Sequence, residues 1–180
     1  MNKNHFKEIS TKRLFLRRIK QTDWEMISYL RSDKEVNKFV KRSNADTKEK
    51  ALEFISKANK GVDDQKLYYW TITEKNSPKM IGSICLWNFS KDQKTAEIGY
   101  DLSPKFHRKG IMDESLKSIL KFGFKNLNLD FIEAYTQKNN ESSKKLLERN
   151  GFILVPDRKD EDNHNNIIYE ITSNGYNLTT

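Results

Sequence analysis

The sequence predicts a mixed α/β domain built around one central β-sheet. Between Lys66 and Leu102, three segments rich in β-branched and aromatic residues alternate with turns, which predicts an antiparallel meander. A long helical pattern then leads into an apolar segment at Asp130–Gln137, and such a crossover joins parallel neighbouring strands. The 180 residues suffice for one core, and no repeat or linker divides them. We therefore expect a single domain over residues 1–180, with its core at about 11–172 and polar ends.

The first third of the chain predicts one strand and two helices. Apolar and polar residues alternate in Arg13–Ile19, as in a strand with one buried face. A helix follows, with either residue of Thr22–Asp23 as its cap. Its apolar positions share one face: Trp24, Ile27, Tyr29 and Leu30. The second helix has Asp46 or Thr47 as its cap, and Gly61 is expected to stop it.

The middle and last thirds supply the remaining elements. The meander strands are expected at Lys66–Thr73, Lys79–Phe89 and Thr95–Leu102. A helix from about Lys109 to Asn126 carries apolar residues at helical spacing. These are Met112, Leu116, Ile119, Leu120 and Gly123. After the strand at 130–137, a short helix ends at Gly151. The segments at 152–158 and 166–172 then predict a final antiparallel pair, so the expected order is β-α-α-β-β-β-α-β-α-β-β.

Composition limits the function classes. The net charge of +8 and the pI of about 9.4 favour an anionic partner, although lysines spread along the whole chain also describe a solvated basic surface. No nucleic-acid-binding motif of the usual kinds is present, so nucleic acid is not expected as a direct ligand. Cys85 is the only cysteine and the three histidines are scattered, so no metal site is expected. No apolar leader or span of ~20 residues is present, which favours a cytoplasmic protein without membrane contact.

The stretch SPKFHRKGIMDESL, Ser103–Leu116, is a candidate anion site. A helix start has unpaired N–H groups and a partial positive charge, and Gly110 lets the backbone approach a ligand closely. Arg108 and Lys109 add positive charge. An ordinary loop-to-helix turn with solvated cations explains the same pattern. Neither of the common glycine-rich nucleotide motifs is present.

Four segments in order resemble the GNAT superfamily of acyl-CoA-dependent N-acetyltransferases. They read STKRLFLRRI, DWEMISYLRSDKEVNKFV, AEIGYDLSPKFHRKGIMDESL and NNESSKKLLERNGF, and the resemblance runs from about Thr11 to Thr172. The branch they resemble most acetylates ribosomal-protein N-termini. The resemblance implies a GNAT-like sheet, acetyl-CoA as co-substrate, no metal, and an amine as acceptor.

The resemblance also implies a set of cofactor-binding residues. The family's pyrophosphate loop, [QR]-x-x-G-x-[GA], corresponds to six residues, of which the first and last depart from the pattern. These are His107, Arg108, Lys109, Gly110, Ile111 and Met112. Met112 is expected to turn into the core, because it begins the apolar face that continues at Leu116. The preceding strand is expected to bulge and splay from its parallel neighbour, so that Leu102 and Ser103 present backbone groups to the thioester arm.

The same resemblance implies one catalytic residue and one further cofactor contact, and the chemistry of acetyl transfer adds a candidate base. Ser143 matches the family pattern N-x-x-S and is the candidate donor to the leaving sulfur, while Asn140 caps its helix and bonds the cofactor arm. Glu97 is the candidate base, with a raised pKa if it is half-buried. Each has a structural alternative: Asn140 and Ser143 as helix-capping residues only, and Glu97 as a glutamate bonded to its surroundings.

The acceptor stays open at this point. A protein N-terminus fits the branch, and a polyamine, amino sugar or antibiotic fits the wider family. A non-catalytic acyl-CoA-binding module is the alternative that His107 and Met112 motivate, since both depart from the family pattern. A monomer and a homodimer are both compatible with the sequence.

Overall fold

The computed structural model describes residues 6–179 and contains one eight-stranded mixed sheet with helices on both faces. The strands are β1 (Ile9–Ser10), β2 (Leu14–Arg18), β3 (Tyr68–Glu74), β4 (Met80–Trp87), β5 (Thr95–Leu102), β6 (Phe131–Gln137), β7 (Ile153–Leu154) and β8 (Asn166–Thr172). The helices are α1 (Trp24–Ser32), α2 (Lys48–Asp63), α3 (Ile111–Asn126), α4 (Glu141–Arg149) and α5 (Ser173–Thr179).

The strand order in the sheet is β1-β2-β3-β4-β5-β6-β8-β7. Within it β5 and β6 are parallel, and the other neighbouring pairs are antiparallel. The predicted meander, crossover and final antiparallel pair are therefore confirmed. The structure adds β1 and α5, which lie in the segments that the sequence analysis treated as polar ends.

Two apolar clusters hold the helices against the two faces of the sheet. On one face, α3 and α4 pack on side chains from the central strands, and Met112 and Leu116 belong to this cluster. Met112 is only 9% exposed, so its predicted inward orientation is confirmed. On the other face, α1 and α2 cover β2, β3 and part of β4 through residues such as Leu30 and Ile55.

Two local predictions about the first helices were wrong. Gly61 does not stop α2, which continues to Asp63, and the left-handed residue that follows the helix is Gln65, with φ +57°. A Cβ at Gly61 would lie 3.1 Å from the Leu67 Cβ. Asp23 precedes α1, but its carboxylate does not cap that helix and accepts two hydrogen bonds from Arg17, at 2.7 and 2.8 Å. Thr47 does cap α2, accepting the Lys50 N–H at 3.3 Å.

The segment after α4 is less regular than predicted. The strand expected at 152–158 is reduced to the two residues of β7, and the chain then turns. Arg158 lies beyond the strand, where its guanidinium reaches Glu133 on β6. Among residues 6–179, we find no helix with the length and apolar character needed to cross a membrane.

Candidate active site

A gap opens between β5 and β6. The two parallel strands pair only where Thr95–Glu97 lies beside Phe131–Glu133. Beyond that point β5 stays paired with β4 as far as Leu102, while β6 follows β8 as far as Gln137. The predicted splay is confirmed, but the predicted bulge is wrong, because the β4–β5 register is continuous from Glu97 to Leu102. The divergence of β6 toward β8 opens the gap without a bulge.

The backbone groups of Leu102 and Ser103 differ in whether they are available to a ligand in this gap. The Ser103 N–H donates to the Ile81 carbonyl on the β4 side at 2.9 Å. Along an antiparallel strand, successive residues direct their backbone groups to opposite sides. The N–H of the preceding residue, Leu102, therefore points away from β4 and toward the gap. The Ser103 carbonyl accepts the Phe106 N–H at 2.9 Å, so both backbone groups of Ser103 have protein partners. Of the two predicted residues, Leu102 is the one with a backbone donor facing the gap.

The His107 side chain contacts the end of β5 at Leu102. Its Nε2 lies 2.9 Å from the Leu102 carbonyl oxygen. A carbonyl oxygen only accepts hydrogen bonds, so Nε2 carries the hydrogen and donates it. The ring thus holds the loop after β5 against the end of the strand, where the family pattern has glutamine or arginine.

The loop before α3 forms a concave row of backbone donors. Gly110 has φ +71° and Arg108 has φ +60°, so two residues of this turn are left-handed. At Gly110 that conformation favours glycine, and a Cβ there would also come within 3.3 Å of Arg13 Nη2. The turn leads directly into Ile111 and Met112, whose N–H groups lack intrahelical acceptors because they begin α3. Such a row suits a phosphate group.

Arg13, which immediately precedes β2, holds this loop through its side chain. Its Nη1 donates to the Lys109 carbonyl at 2.8 Å, and its Nε donates to Glu114 Oε2 at 2.7 Å. Glu114 also accepts the Arg13 backbone N–H at 2.8 Å and a hydrogen bond from the Thr11 hydroxyl. Burial alone would raise the pKa of Glu114, but the hydrogen bonds from Thr11 and Arg13 outweigh it and hold that pKa below its usual range.

Ser143 lies on the α4 side of the sheet and contacts Tyr100. Their hydroxyl oxygens are 2.8 Å apart. The Asn140 side chain accepts the Ser143 N–H at 3.3 Å, which confirms that Asn140 caps α4. Burial raises the pKa of Tyr100 to about 12, against a smaller opposing effect of the Ser143 hydrogen bond, so the phenol stays protonated near neutral pH. The sequence did not identify Tyr100 as a site residue. The alternation of residues along β5 predicts that Tyr100 and Ile98 lie on the same face of the strand, but it does not predict that Tyr100 contacts Ser143.

Glu97 lies on the opposite face of the sheet, where the gap begins. It is paired with Trp87 on β4 and with Glu133 on β6. Burial raises the pKa of Glu97 to about 7; a 3.5 Å hydrogen bond from Asn88 opposes this, and the negative charges of Asp160 and Glu133 add to it. A carboxyl group in this state exchanges a proton near neutral pH, as a general base requires.

Two ion pairs surround this face, and sequence reasoning found neither of them. Arg158 donates to both carboxylate oxygens of Glu133, at 2.6 and 3.1 Å. Arg42, in the segment between α1 and α2, donates to Asp101 Oδ2 at 2.7 Å and so ties that segment to β5. Each pair joins residues more than twenty positions apart in the chain, which no local pattern reports.

The described residues offer no cluster for a metal ion: between positions 6 and 179, no group of three or more His, Cys, Asp or Glu side chains has a suitable arrangement. His5 lies outside the described residues.

Known proteins resemble this chain in sequence and in fold. Residues 13–153 match the family described as the acetyltransferase (GNAT) domain. The uncharacterized N-acetyltransferase YoaA of Bacillus subtilis is 30% identical over 147 residues, which are 82% of this chain and 83% of that protein. The ribosomal-protein-S5-alanine acetyltransferase of Vibrio fischeri has a similar fold, with a TM-score of 0.80, 23% identity, and coverage of 94% of this chain and 98% of that one. RimJ of Mycobacterium smegmatis, solved in complex with CoA-disulfide, also has a similar fold. Its TM-score is 0.81 at 17% identity, and the match covers 97% of this chain and 91% of that one.

Proposed function

The chain belongs to the GNAT acetyltransferase family, and from that premise we propose that it transfers acetyl from acetyl-CoA directly to a primary amine. The observation that carries the proposal is the β5–β6 gap. One end of the gap leads to the left-handed Gly110 turn, and its two faces carry Ser143 and Glu97. Cofactor binding, proton removal and leaving-group stabilisation thus have candidate groups around one opening.

The residues around the loop fit the pyrophosphate of acetyl-CoA. The N–H row that begins at Gly110 and continues through Ile111 and Met112 supplies donors, and the exposed side chains of Arg108 and Lys109 add positive charge. Because the Met112 side chain is buried in the core, it leaves the ligand side of its own N–H open. We assign His107 the bracing of this loop rather than a direct phosphate contact, since its ring is bonded to Leu102.

The rest of the gap fits the acetyl and arm portions. We assign the Leu102 N–H to the thioester arm, where it can also polarise the carbonyl. Ser103 contributes through its place in the turn, because its backbone groups are already bonded. Asn140 holds the start of α4, and with it Ser143, beside the gap, and its side chain remains a proposed contact of the arm.

The chemistry divides between the two faces of the sheet. The acceptor nitrogen forms a bond to the acetyl carbon, the carbon–sulfur bond breaks, and its electron pair leaves with sulfur. Glu97 takes the proton that the nitrogen loses, and Ser143 donates a hydrogen bond to the departing sulfur. A base with a pKa of about 7 suits an α-amine, whose ordinary pKa is about 8, because both groups exchange protons near neutral pH.

The proposed acceptor class is a protein N-terminus, with a small-molecule amine as the second candidate. The fold shared with the Vibrio fischeri S5-alanine acetyltransferase supports the first class only at the level of fold. The segment between α1 and α2, which Arg42 ties to β5, borders the acceptor face and is where the two classes would be told apart.

The test begins with the cofactor and then screens the acceptor. Acetyl-CoA is titrated by calorimetry and thermal shift, and labelled acetyl-CoA is then offered with peptides, polyamines and amino sugars. We expect saturable binding, and transfer that Ser143→Ala and Glu97→Gln slow without weakening CoA binding. An absence of any response at millimolar acetyl-CoA would overturn the proposal. Binding without transfer to any amine would favour the acyl-CoA-binding module.

A further inference from the structure

We propose that Tyr100 is a positioning residue for the leaving group and acts through Ser143. The Tyr100 hydroxyl donates to Ser143 Oγ, which leaves the hydroxyl hydrogen of Ser143 free for the departing sulfur. This inference rests on the proposed function, because it concerns the group that leaves in that reaction.

The geometry allows only one hydrogen between the two oxygens. They are 2.8 Å apart, and each hydroxyl has a single hydrogen, so one residue donates and the other accepts. If Ser143 donated to Tyr100, its hydrogen would point back toward β5 and away from any leaving group. The direction of this one hydrogen bond therefore decides whether Ser143 is ready to act.

Acid strength favours donation by Tyr100. A phenol is a stronger acid than an aliphatic alcohol, so in a mixed pair the phenol is the better donor and the serine oxygen the better acceptor. Burial raises the pKa of Tyr100 to about 12, which keeps it protonated at the pH of any ordinary assay. The Asn140 side chain accepts the backbone N–H of Ser143, which holds the first turn of α4, and with it Ser143 Oγ, beside Tyr100.

The acidity of the leaving group determines how far the protons move. A thiol has a pKa of about 8.5, so a thiolate is a weaker base than tyrosinate, and both hydroxyls donate hydrogen bonds while keeping their protons. An alkoxide is a much stronger base than tyrosinate. With an oxygen-ester donor, the Ser143 proton passes to the leaving oxygen, the Tyr100 proton passes to Ser143, and Tyr100 regains a proton from water.

The experiment compares acetyl-CoA with its oxygen-ester analogue, in which the thioester sulfur is replaced by oxygen. Single-turnover rates are measured for the native chain, Tyr100→Phe, Ser143→Ala and the double variant, with an amine that the native chain acetylates. We expect Tyr100→Phe to lower the rate with acetyl-CoA about 10-fold, as for the loss of one hydrogen bond, with an unchanged KM for acetyl-CoA. With the oxygen ester we expect a loss of about 100-fold or more, because proton transfer is then required.

Tyr169→Phe is the matched control. The Tyr169 hydroxyl also bonds α4, donating to Glu148 at 2.7 Å, but it does so away from Ser143. We expect this variant to show the same ratio of rates for the two donors as the native chain. The double variant should be no slower than Ser143→Ala alone, since Tyr100 acts through Ser143.

Two results would overturn the inference. One is that Tyr100→Phe lowers the single-turnover rate by the same factor with acetyl-CoA and with the oxygen ester, which would indicate that Tyr100 only packs against its neighbours. The other is additive losses for Tyr100→Phe and Ser143→Ala, which describe independent roles. Failure of the proposed function has a different signature, namely that the native chain acetylates no amine with either donor.

Discussion

The loop before α3 and the walls of the β5–β6 gap build their parts of the site in different ways. In the loop, the groups aimed at a ligand are backbone N–H groups, and their direction follows from the left-handed turn at Gly110. In the gap, one group is the backbone N–H of Leu102, and the others are side-chain atoms of Glu97, Tyr100 and Ser143, which come from two elements and face opposite sides of the sheet. Local backbone geometry can be encoded by a few adjacent residues, whereas the convergence of side chains depends on the whole fold.

This difference explains which parts of the site the sequence could predict. Gly110 was identifiable because a left-handed turn, here with φ of +71°, favours glycine, and the buried orientation of Met112 followed from the periodicity of α3. Tyr100 was not identifiable, because its partner Ser143 lies 43 positions away in the chain and comes into contact only when β6 and α4 pack in the fold. The order of the core strands and helices was readable for the same reason as the loop, since short-range periodicity determines each element.

The wrong predictions have the same origin. Gly61 follows the usual rule for a helix stop, but contact with Leu67 uses its lack of a side chain inside α2. Asp23 follows the usual rule for a cap, but Arg17 on β2 takes its carboxylate. In each case a partner outside the local segment determines what the residue does.

Replacement of Glu97 by glutamine is expected to have the largest effect. Its pKa of about 7 means that the base is half ionised near neutral pH, so the rate should fall about tenfold per pH unit below that value. Glu97→Gln should lower kcat by about 100-fold and remove this acidic limb. Exposed Glu25 on α1 provides a control, and Glu25→Gln should keep the native pH profile. An unchanged acidic limb in Glu97→Gln would assign the titration to another group.

The same substitution has a stability readout that is independent of catalysis. The pKa of Glu97 is raised in the folded protein, from 4.5 to about 7, so the folded state binds more protons than the unfolded state between these values. The stability that protonated Glu97 contributes to the folded state is therefore fully present below pH 4.5 and is lost as the pH rises through 7. Relative to the native chain, Glu97→Gln should gain thermal stability across this interval. Equal melting curves at every pH would contradict the raised pKa.

Substitution of Gly110 probes the loop and is expected to have an intermediate effect. A valine there places a Cβ at positive φ, which costs about 1–2 kcal/mol, and this should weaken CoA binding about 5- to 30-fold if the turn rearranges. The kcat at saturating acetyl-CoA should change little, because Glu97 and Ser143 are untouched. Gly110→Asn is the matched variant, since asparagine tolerates the left-handed conformation and should retain most of the affinity. Equal affinities for valine and asparagine would show that the turn does not depend on this conformation.

The smallest effect is expected at Arg13, which supports the loop without facing its ligand side. Its guanidinium bonds the Lys109 carbonyl and Glu114, but its side chain is 49% exposed, and a solvated ion pair contributes little. Arg13→Ala should therefore weaken CoA binding about 3-fold, through a looser turn rather than a lost contact. Glu114→Gln should do the same, and the double variant should be no worse than either single change, because both act on one cluster.

Arg18→Ala is the matched control for this support. Arg18 is the last residue of β2, the strand that Arg13 immediately precedes, and it makes a similar ion pair with Asp63 at 2.7 Å, but on α2 and away from the loop. Calorimetric titration with CoA should give the native affinity for Arg18→Ala and a weaker one for Arg13→Ala. Equal affinities for the two variants would mean that the turn holds its shape through Gly110 and His107 alone. A loss at Arg13 as large as that at Gly110 would instead mean that a side chain from outside the loop determines the positions of its backbone donors, and the contrast between the backbone groups of the loop and the side-chain groups of the gap would no longer hold.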